Sequence, residues 1–359
     1  MKFISKFTIA ASLLSLSLLI SSCDNSEETN PDFRENTILT VASSDPNLSL
    51  FVSALAATDL SQTLQVSEPY TVFAPTNAAF EKYLTMANYY DPGTNPDPTK
   101  KPPVTFNRVP VNLLKQLLLN HIVLGNIKST DLKTGYVKTL ATSSISKMNT
   151  MSMYIDITSG VKINGASTVT SPDITASNGT IHIVDGVNDF PMITTHLKVN
   201  PKLSTMLDVV TKNAGTTLFN RLALPNFYEK GKQQFFLPID PVTLFAPTNT
   251  AFNDLNVELA PSGGLAAVSP VNLNKIVTYH CASDNALAIS LTDNQKIPSL
   301  LVIPTTPPDP VKYEELTVQM AGGAKIKDVK NRLSTIETTD IQCWNGIIHV
   351  VDKVLLPNL

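Results

Sequence analysis

The sequence lacks the short motifs that mark most catalytic and nucleotide-binding sites. It has no G-x-S-x-G turn for a serine nucleophile, no H-E-x-x-H helix for zinc, no P-loop and no G-x-G-x-x-G loop. Charged residues make up only 16% of the 359 residues, so carboxylate pairs at helical spacing are scarce. Because catalytic triads are assembled in space, these absences do not exclude an enzyme. They leave catalysis without positive support, and we expect no enzymatic activity and no cofactor.

Basic and sulfhydryl side chains are also few. The chain has 27 Lys and Arg residues against 30 Asp and Glu residues, and no basic block, so we expect no nucleic-acid partner. None of the three cysteines lies in a C-x-x-C arrangement, which argues against a zinc ribbon or a thioredoxin-type site. A hydrophobic content of 43% over this length allows two ordinary cores.

One segment of the chain is present twice. Residues 73–80 read F-A-P-T-N-A-A-F, and residues 245–252 read F-A-P-T-N-T-A-F. A repeat of this length at such a distance indicates two copies of one domain. Each copy follows β-branched and aromatic residues that favour a strand, and its proline ends strand pairing. The Thr-Asn pair that follows suits a helix N-cap, so the segment predicts a folding corner without chemistry of its own.

A second pair of matching segments closes each half. Residues 178–185 read N-G-T-I-H-I-V-D, and residues 345–352 read N-G-I-I-H-V-V-D. Together with the repeated corner, they resemble the two signature motifs of the fasciclin domain, in the same order in both halves. This resemblance implies an α+β fold of two tandem fasciclin-like domains, each a small β-sandwich or wedge with helices packed on one side.

The resemblance and the composition divide the chain into four segments. We predict a lipoprotein signal peptide over 1–22, a flexible acidic tether over 23–35, and fasciclin-like domains over 36–193 and 194–359. Residues 194–199 read as a short join, so we expect the two domains to lie close together.

The first residues have the pattern of a secretory signal. Lys2 and Lys6 precede an apolar run from Ile9 to Ile20, which is too short to span a bilayer comfortably. The run ends in I-S-S-C, which resembles a bacterial lipobox, so we predict that Cys23 carries the lipid. An ordinary secretory signal with an incidental cysteine is the alternative.

The tether contains acidic residues, among them Asp24, Glu27, Glu28 and Asp32, and few apolar ones, a composition that cannot bury a core. Acidic residues directly after the lipid-bearing cysteine resemble the surface-export signals of Bacteroidota lipoproteins, although a solvated linker fits the composition equally well. We therefore expect an outer-membrane lipoprotein of the cell envelope and leave open whether it faces the cell surface.

Two histidines end apolar helical stripes, one in each half. His121 and His280 continue these stripes, so we expect neutral imidazoles that are hydrogen-bonded at the helix ends. The alternative is a metal site in which they pair with His182 and His349. No carboxylate lies at ligand spacing, so we expect no metal.

Tyr279-His280 matches a Tyr-His pair that is implicated in receptor binding by animal matrix relatives of the fasciclin domain. The first copy has Asn120-His121 instead, so the tyrosine is missing there. Tyr279 and His280 are therefore weak candidates for ligand binding, and a core role is the alternative.

Two cysteines of the second half are candidates for a disulfide. The predicted envelope location is oxidising, which favours pairing of Cys281 with Cys343. Two free, buried thiols are the alternative.

The sequence leads to two functional hypotheses. The first is a membrane-anchored envelope lipoprotein that acts as a non-enzymatic adhesion or binding module toward an extracellular protein or glycan. The second is a surface glycan-binding lipoprotein that assists nutrient uptake across the outer membrane. Exposed aromatic residues would favour the second, and the candidates are Tyr89, Tyr90, Phe227 and Tyr228.

Overall fold

The structure is a computed structural model that describes residues 36–87, 106, 108–143, 145–223 and 240–359. Its first domain has five helices and seven strands within those residues. The helices are α1 (Ile38–Ser44), α2 (Ser49–Ala57), α3 (Leu60–Thr63), α4 (Asn77–Met86) and α5 (Val111–Leu119). The strands are β1 (Tyr70–Pro75), β2 (Ile122–Leu124), β3 (Gly135–Lys138), β4 (Ser152–Asp156), β5 (Lys162–Ile163), β6 (Ser167–Ala176) and β7 (Gly179–Val184).

The seven strands of the first domain form one sheet in the order β2-β1-β7-β6-β5-β4-β3. β1, the strand of the repeated corner, runs parallel to β7, the strand of the closing motif, with Tyr70 opposite Gly179. All other neighbours in this sheet are antiparallel. The repeated corner and the closing motif of the first half therefore lie on adjacent strands inside the sheet.

The second domain repeats this arrangement. Its helices are α6 (Ile193–Val199), α7 (Ser204–Asn213), α8 (Gly215–Ala223), α9 (Asn249–Glu258) and α10 (Pro270–Tyr279). Its strands are β8 (Val242–Pro247), β9 (Cys281–Ser283), β10 (Lys296–Ile303), β11 (Lys312–Gln319), β12 (Lys325–Lys327), β13 (Leu333–Gln342) and β14 (Gly346–Val351). Short 3-10 turns include Pro46–Leu48 in the first domain and Pro201–Leu203 and Ala288–Ser290 in the second.

In the second domain the strands close into a barrel in the order β10-β11-β12-β13-β14-β8-β9. The tandem α+β architecture is thus confirmed. One continuous set of seven strands makes up the β layer of each domain. Residues 194–199 differ from the predicted join: they belong to helix α6, whose Ile193 and Leu197 are buried in the core of the second domain.

The two domains meet at a tightly packed seam. The ring of Trp344, beside the closing motif of the second domain, stacks on Phe190 with centroids 4.1 Å apart. Trp344 also packs in a buried cluster with Leu113, Met151 and Met192. Such aromatic pairs stabilise a contact beyond the area that they bury. The seam therefore has an apolar centre.

Hydrogen bonds surround this apolar centre. Lys138 on β3 donates through Nζ to the carbonyl oxygen of Asp340 on β13 at 2.6 Å. The Ser152 hydroxyl accepts from the backbone N–H of Gln342 at 3.0 Å. Burial lowers the pKa of Lys138 to about 8. The outer face of β3 and β4 is thus the surface on which the second domain docks.

Candidate functional site

The Thr-Asn pair of each repeated corner serves the fold. Thr76 and Thr248 cap α4 and α9, and each hydroxyl accepts from a backbone N–H of the first helical turn. Asn77 and Asn249 each bind a second segment by donating to a proline carbonyl at 2.9 and 2.8 Å, that of Pro46 and Pro201 respectively. The predicted caps are confirmed, and the asparagines tie each corner to the 3-10 turn that follows the first helix of its domain.

The asparagine of each closing motif also links separate segments of its domain through hydrogen bonds. The Asn178 side chain accepts from the backbone N–H of Ile38 at 2.8 Å and donates to the carbonyls of Leu64 and Val66. Asn345 accepts in the same way from Ile193 at 3.0 Å. A buried backbone group that loses its partner costs free energy, so these contacts fix where the first helix of each domain begins.

The glycine that follows each asparagine is required by close packing of the two parallel strands of its domain. A Cβ on Gly179 would lie 1.9 Å from the carbonyl oxygen of Tyr70, and one on Gly346 would lie 2.0 Å from that of Val242. Both partners are backbone atoms of the neighbouring parallel strand, which cannot move away without breaking the sheet.

The helix-end histidines are buried and bonded at both ring nitrogens. Nδ1 of His121 pairs with the carbonyl of Leu117, and Nε2 accepts from the backbone N–H of Asn188 at 2.8 Å. His280 repeats this with Ile276 and Leu355. Burial lowers the pKa of each imidazole to about 4, so both are neutral at neutral pH. The predicted structural role is confirmed.

The histidines of the closing motifs form another matching pair. His182 stacks on Phe73 and His349 on Phe245, with ring centroids 5.3 and 5.6 Å apart. In each ring Nδ1 accepts from the backbone N–H of an aspartate nine residues earlier, and Nε2 pairs with a backbone carbonyl. Within the described residues, no group of three or more His, Cys, Asp and Glu side chains is placed to hold a metal ion.

Tyr279 lies entirely inside the second domain. Its hydroxyl donates to the carbonyl of Glu315 and accepts from the backbone N–H of Val329, both at 3.1 Å. Strands β11 and β12 pair only between Thr317 and Gln319, so this hydroxyl bridges them where they diverge. Tyr279 and His280 are both fully buried, which contradicts the ligand-binding role considered from the sequence.

A groove of about 590 Å³ opens above this bridge on the second domain. Tyr313 is 44% exposed there and is the exposed aromatic residue of the lining. Two of the acidic groups that line the groove are occupied by the backbone: Asp328 accepts from three backbone N–H groups, and Glu314 accepts from that of Asn358. The remaining charged residues of the lining are Lys296, Lys312, Glu315 and Lys327.

Comparison with known protein families identifies the type of domain in which these repeated contacts occur. The family model "Fasciclin domain" matches residues 46–187 and again residues 201–357, which is well over half of the chain. The chain belongs to the fasciclin family. Both matches contain the corner, the closing motif and the helix-end histidine of their domain, so the contacts described above are those of two fasciclin domains.

Relatives of this fasciclin chain include two proteins of Synechocystis sp. It is 33% identical over 152 residues to the uncharacterized protein sll1735, covering 42% of this chain and 95% of that protein. It is 34% identical over 157 residues to protein sll1483, covering 44% of this chain and 74% of that protein.

A third relative is the pig transforming growth factor-beta-induced protein ig-h3, with 25% identity over 205 residues. This match covers 56% of the chain and only 24% of that longer protein. Among solved structures, a FAS1 domain pair from the insect cell adhesion molecule fasciclin I covers 87% of this chain and 97% of its own, with 17% identity and a TM-score of 0.47.

The two fasciclin-domain cysteines do not form the predicted disulfide. Cys281 and Cys343 are buried, free thiols. Cys281 lies on β9 and Cys343 follows β13, and the sheet places β14 and β8 between those strands. Burial raises the pKa of both thiols, that of Cys281 to about 12.

Other residues singled out in the sequence lie outside the described residues: Cys23, the signal peptide and tether of 1–35, and Tyr89, Tyr90, Phe227 and Tyr228. Among the described residues no single helix is long and apolar enough to cross a membrane. One pair, Ile38–Ser44 with Pro46–Ala57, meets that criterion only when taken together across a bend of 109°.

Sequence reasoning missed both the seam and the groove of this fasciclin pair. One signal was available: the chain has a single tryptophan, and it lies directly before the second Asn-Gly. Its counterpart in the first copy is Ser177, so the substitution marks a place where the two domains have different neighbours.

Proposed function

We propose that this fasciclin chain is a lipid-anchored, non-enzymatic binding protein of the cell envelope that contacts an extracellular protein or glycan. One observation carries the proposal: the chain consists of two fasciclin domains, a family of typically non-enzymatic adhesion modules. The motif side chains agree with it, because they are hydrogen-bonded to the backbone of their own domain. We therefore expect a ligand to bind at surfaces that differ between the two domains, and not at the shared motifs.

Anchoring at Cys23 gives this binding its geometry. Lipid chains contribute ~0.8 kcal/mol per buried methylene, and two or more chains hold a protein stably at a bilayer. The acidic tether would leave the domain pair free to reach a partner. Since many copies share one membrane, weak contacts add up through effective concentration. Outer-membrane location, with exposure at the cell surface, is part of the proposal.

A second candidate is glycan binding that serves nutrient uptake. The observation in its favour is the groove of the second domain, where Tyr313 is exposed beside lysine, glutamate and asparagine side chains. An exposed aromatic ring beside polar groups suits the apolar face and the hydroxyls of a sugar.

The two candidates are separated by binding the full chain to an array of glycans and matrix proteins. We expect retention on at least one class. Loss of retention in Tyr313→Ala, with no change in a control Val257→Ala, would favour the glycan groove; retention on proteins by both variants would favour adhesion. Retention on nothing in the array would contradict the proposal.

Anchoring has its own test. We expect cells that express the chain to incorporate an alkyne-labelled fatty acid into it, and Cys23→Ser to abolish both labelling and membrane retention. Labelling that survives in Cys23→Ser would contradict the assigned site.

A further inference from the structure

The face of the first domain that receives the second has a counterpart in the second domain, which is left exposed by the part of the chain that the structure describes. In the first domain, Thr139 bridges Val123 on β2; in the second, Ser299 pairs with Ala282 on β9. Counting three residues back gives Tyr136 on β3 and Lys296 on β10 as equivalents. The cross-strand pairs agree, since Tyr136 lies opposite Tyr154 on β4 and Lys296 lies opposite Thr317 on β11.

Within the chain, this face is covered by the start of the second domain. Asn200, the N-cap of the 3-10 turn Pro201–Leu203, donates through Nδ2 to the Tyr136 hydroxyl at 3.3 Å. Its Oδ1 caps the turn by accepting from the backbone N–H of Lys202. One side-chain atom thus serves the turn while the other contacts the neighbouring domain.

Both members of this contact are replaced by charged residues in the uncovered surfaces. Asp45 takes the place of Asn200: its Oδ1 accepts from the N–H of Asn47 at 2.9 Å, and its second oxygen replaces the amide that contacts Tyr136. Lys296 takes the place of Tyr136 and is exposed, with Nζ on the Thr317 hydroxyl at 2.8 Å. A neutral contact inside the chain corresponds to an acid and a base on its two open faces.

A second pair of charges follows from the same correspondence. Ser152 contacts Gln342 across the seam, and their counterparts are Glu315 and Thr175. Glu315 is exposed on the groove face. Beside Thr175 lies Lys128, whose Nζ is 3.1 Å from the Thr175 hydroxyl. Each open face therefore has one positive and one negative group, in complementary positions.

We propose that the β10–β11 face of one chain binds the first domain of a second copy, head to tail, through Lys296 with Asp45 and Glu315 with Lys128. This inference deepens the proposed binding function and rests on it. Such a contact uses two different surfaces, so it can propagate along a membrane rather than stop at a dimer. Ser177 stands where Trp344 stands, so the contact between copies lacks the stacked aromatic pair and is weaker than the seam.

Sedimentation of the purified chain over a concentration series at low ionic strength tests the inference. We expect the mass to rise with concentration and the rise to shrink as salt screens the charges. Lys296→Asp alone and Asp45→Lys alone should each weaken association by at least ~10-fold, because like charges then face each other. Lys82→Asp, an equal charge change on an exposed residue of α4, should have no effect.

Mixing the two interface variants gives the sharpest result. In a contact between the two different variants, either the native Lys296 of one chain meets the native Asp45 of the other, or the two substituted residues meet with their charges exchanged. Both pairings are attractive, so mixing should restore association. A wild-type chain that stays monomeric, or a mixture that stays monomeric, would overturn the inference. Array retention without self-association would leave the proposed function standing, whereas self-association without array retention would contradict only the external ligand.

Discussion

Trp344 and Phe190 stack at 4.1 Å across the junction of the two fasciclin domains, with their ring planes 25° apart. The backbone N–H of Trp344 also donates to the carbonyl of Pro191 at 2.8 Å. Both contacts join residues far apart in sequence. The pair of domains is therefore held by a packed core of its own rather than by chain connectivity alone.

Truncation of the Trp344 side chain should destabilise the domain pair. Trp344 is buried, so we expect Trp344→Ala to lower the free energy of unfolding by ~3 kcal/mol, the usual cost of removing a large core side chain. Urea unfolding followed by circular dichroism measures it. Trp344→Phe is the matched control, since it keeps an aromatic ring on Phe190. Wild-type stability in Trp344→Ala would show that the seam contributes nothing.

Acid should unfold the protein through its histidines. All five are buried, and burial lowers the pKa of each, to about 4 for His121 and His280. Their ordinary pKa is about 6.5, so below that pH the histidines of the unfolded chain bind protons while those of the folded chain stay neutral. Stability should fall from pH 6.5 downward, by ~3 kcal/mol at pH 4 for each of these two residues.

Histidine NMR signals followed against pH provide the direct check. In the folded protein the imidazoles of His121, His196 and His280 should remain neutral at pH 5.5, while a denatured control is largely protonated. Titration of the native His121 and His280 signals near pH 6.5 would contradict the assigned burial.

The thiols of the second domain should remain reduced. Alkylation after denaturation without reductant should label both Cys281 and Cys343, and alkylation of the native protein should label neither, because both are buried with raised pKa values. Mass spectrometry reads out both reactions. A peptide pair linked by Cys281 and Cys343 would require a different strand order from the one described.

These cysteines also show which parts of the structure the sequence could indicate. The corner and its caps were predictable because a strand, a proline and a Thr-Asn pair act locally. The disulfide prediction was wrong because the distance between the two cysteines depends on which strands lie between β9 and β13. The order of strands in a sheet cannot be predicted from the spacing of residues in the sequence.

The residues of the candidate site show the same difference between features that are set locally and features that depend on distant parts of the chain. Histidines that continue an apolar stripe could be assigned to the core from periodicity alone. Burial of Tyr279 could not, since its hydroxyl is satisfied by Glu315 and Val329, which lie 36 and 50 residues away in sequence. The seam formed by Tyr136, Lys138 and Trp344 was equally inaccessible, because its two faces come from different domains.

The central claim is that the doubled polar residues build the two cores and do no chemistry. The free energy of unfolding of Asn77→Ala and Asn249→Ala tests it most directly, with the exposed Asn47→Ala as control. We expect both variants to lose ~0.5–1.5 kcal/mol, because each removes the side-chain hydrogen bonds that hold a neighbouring turn. Unchanged stability in both would contradict the claim and would make these asparagines candidates for ligand binding.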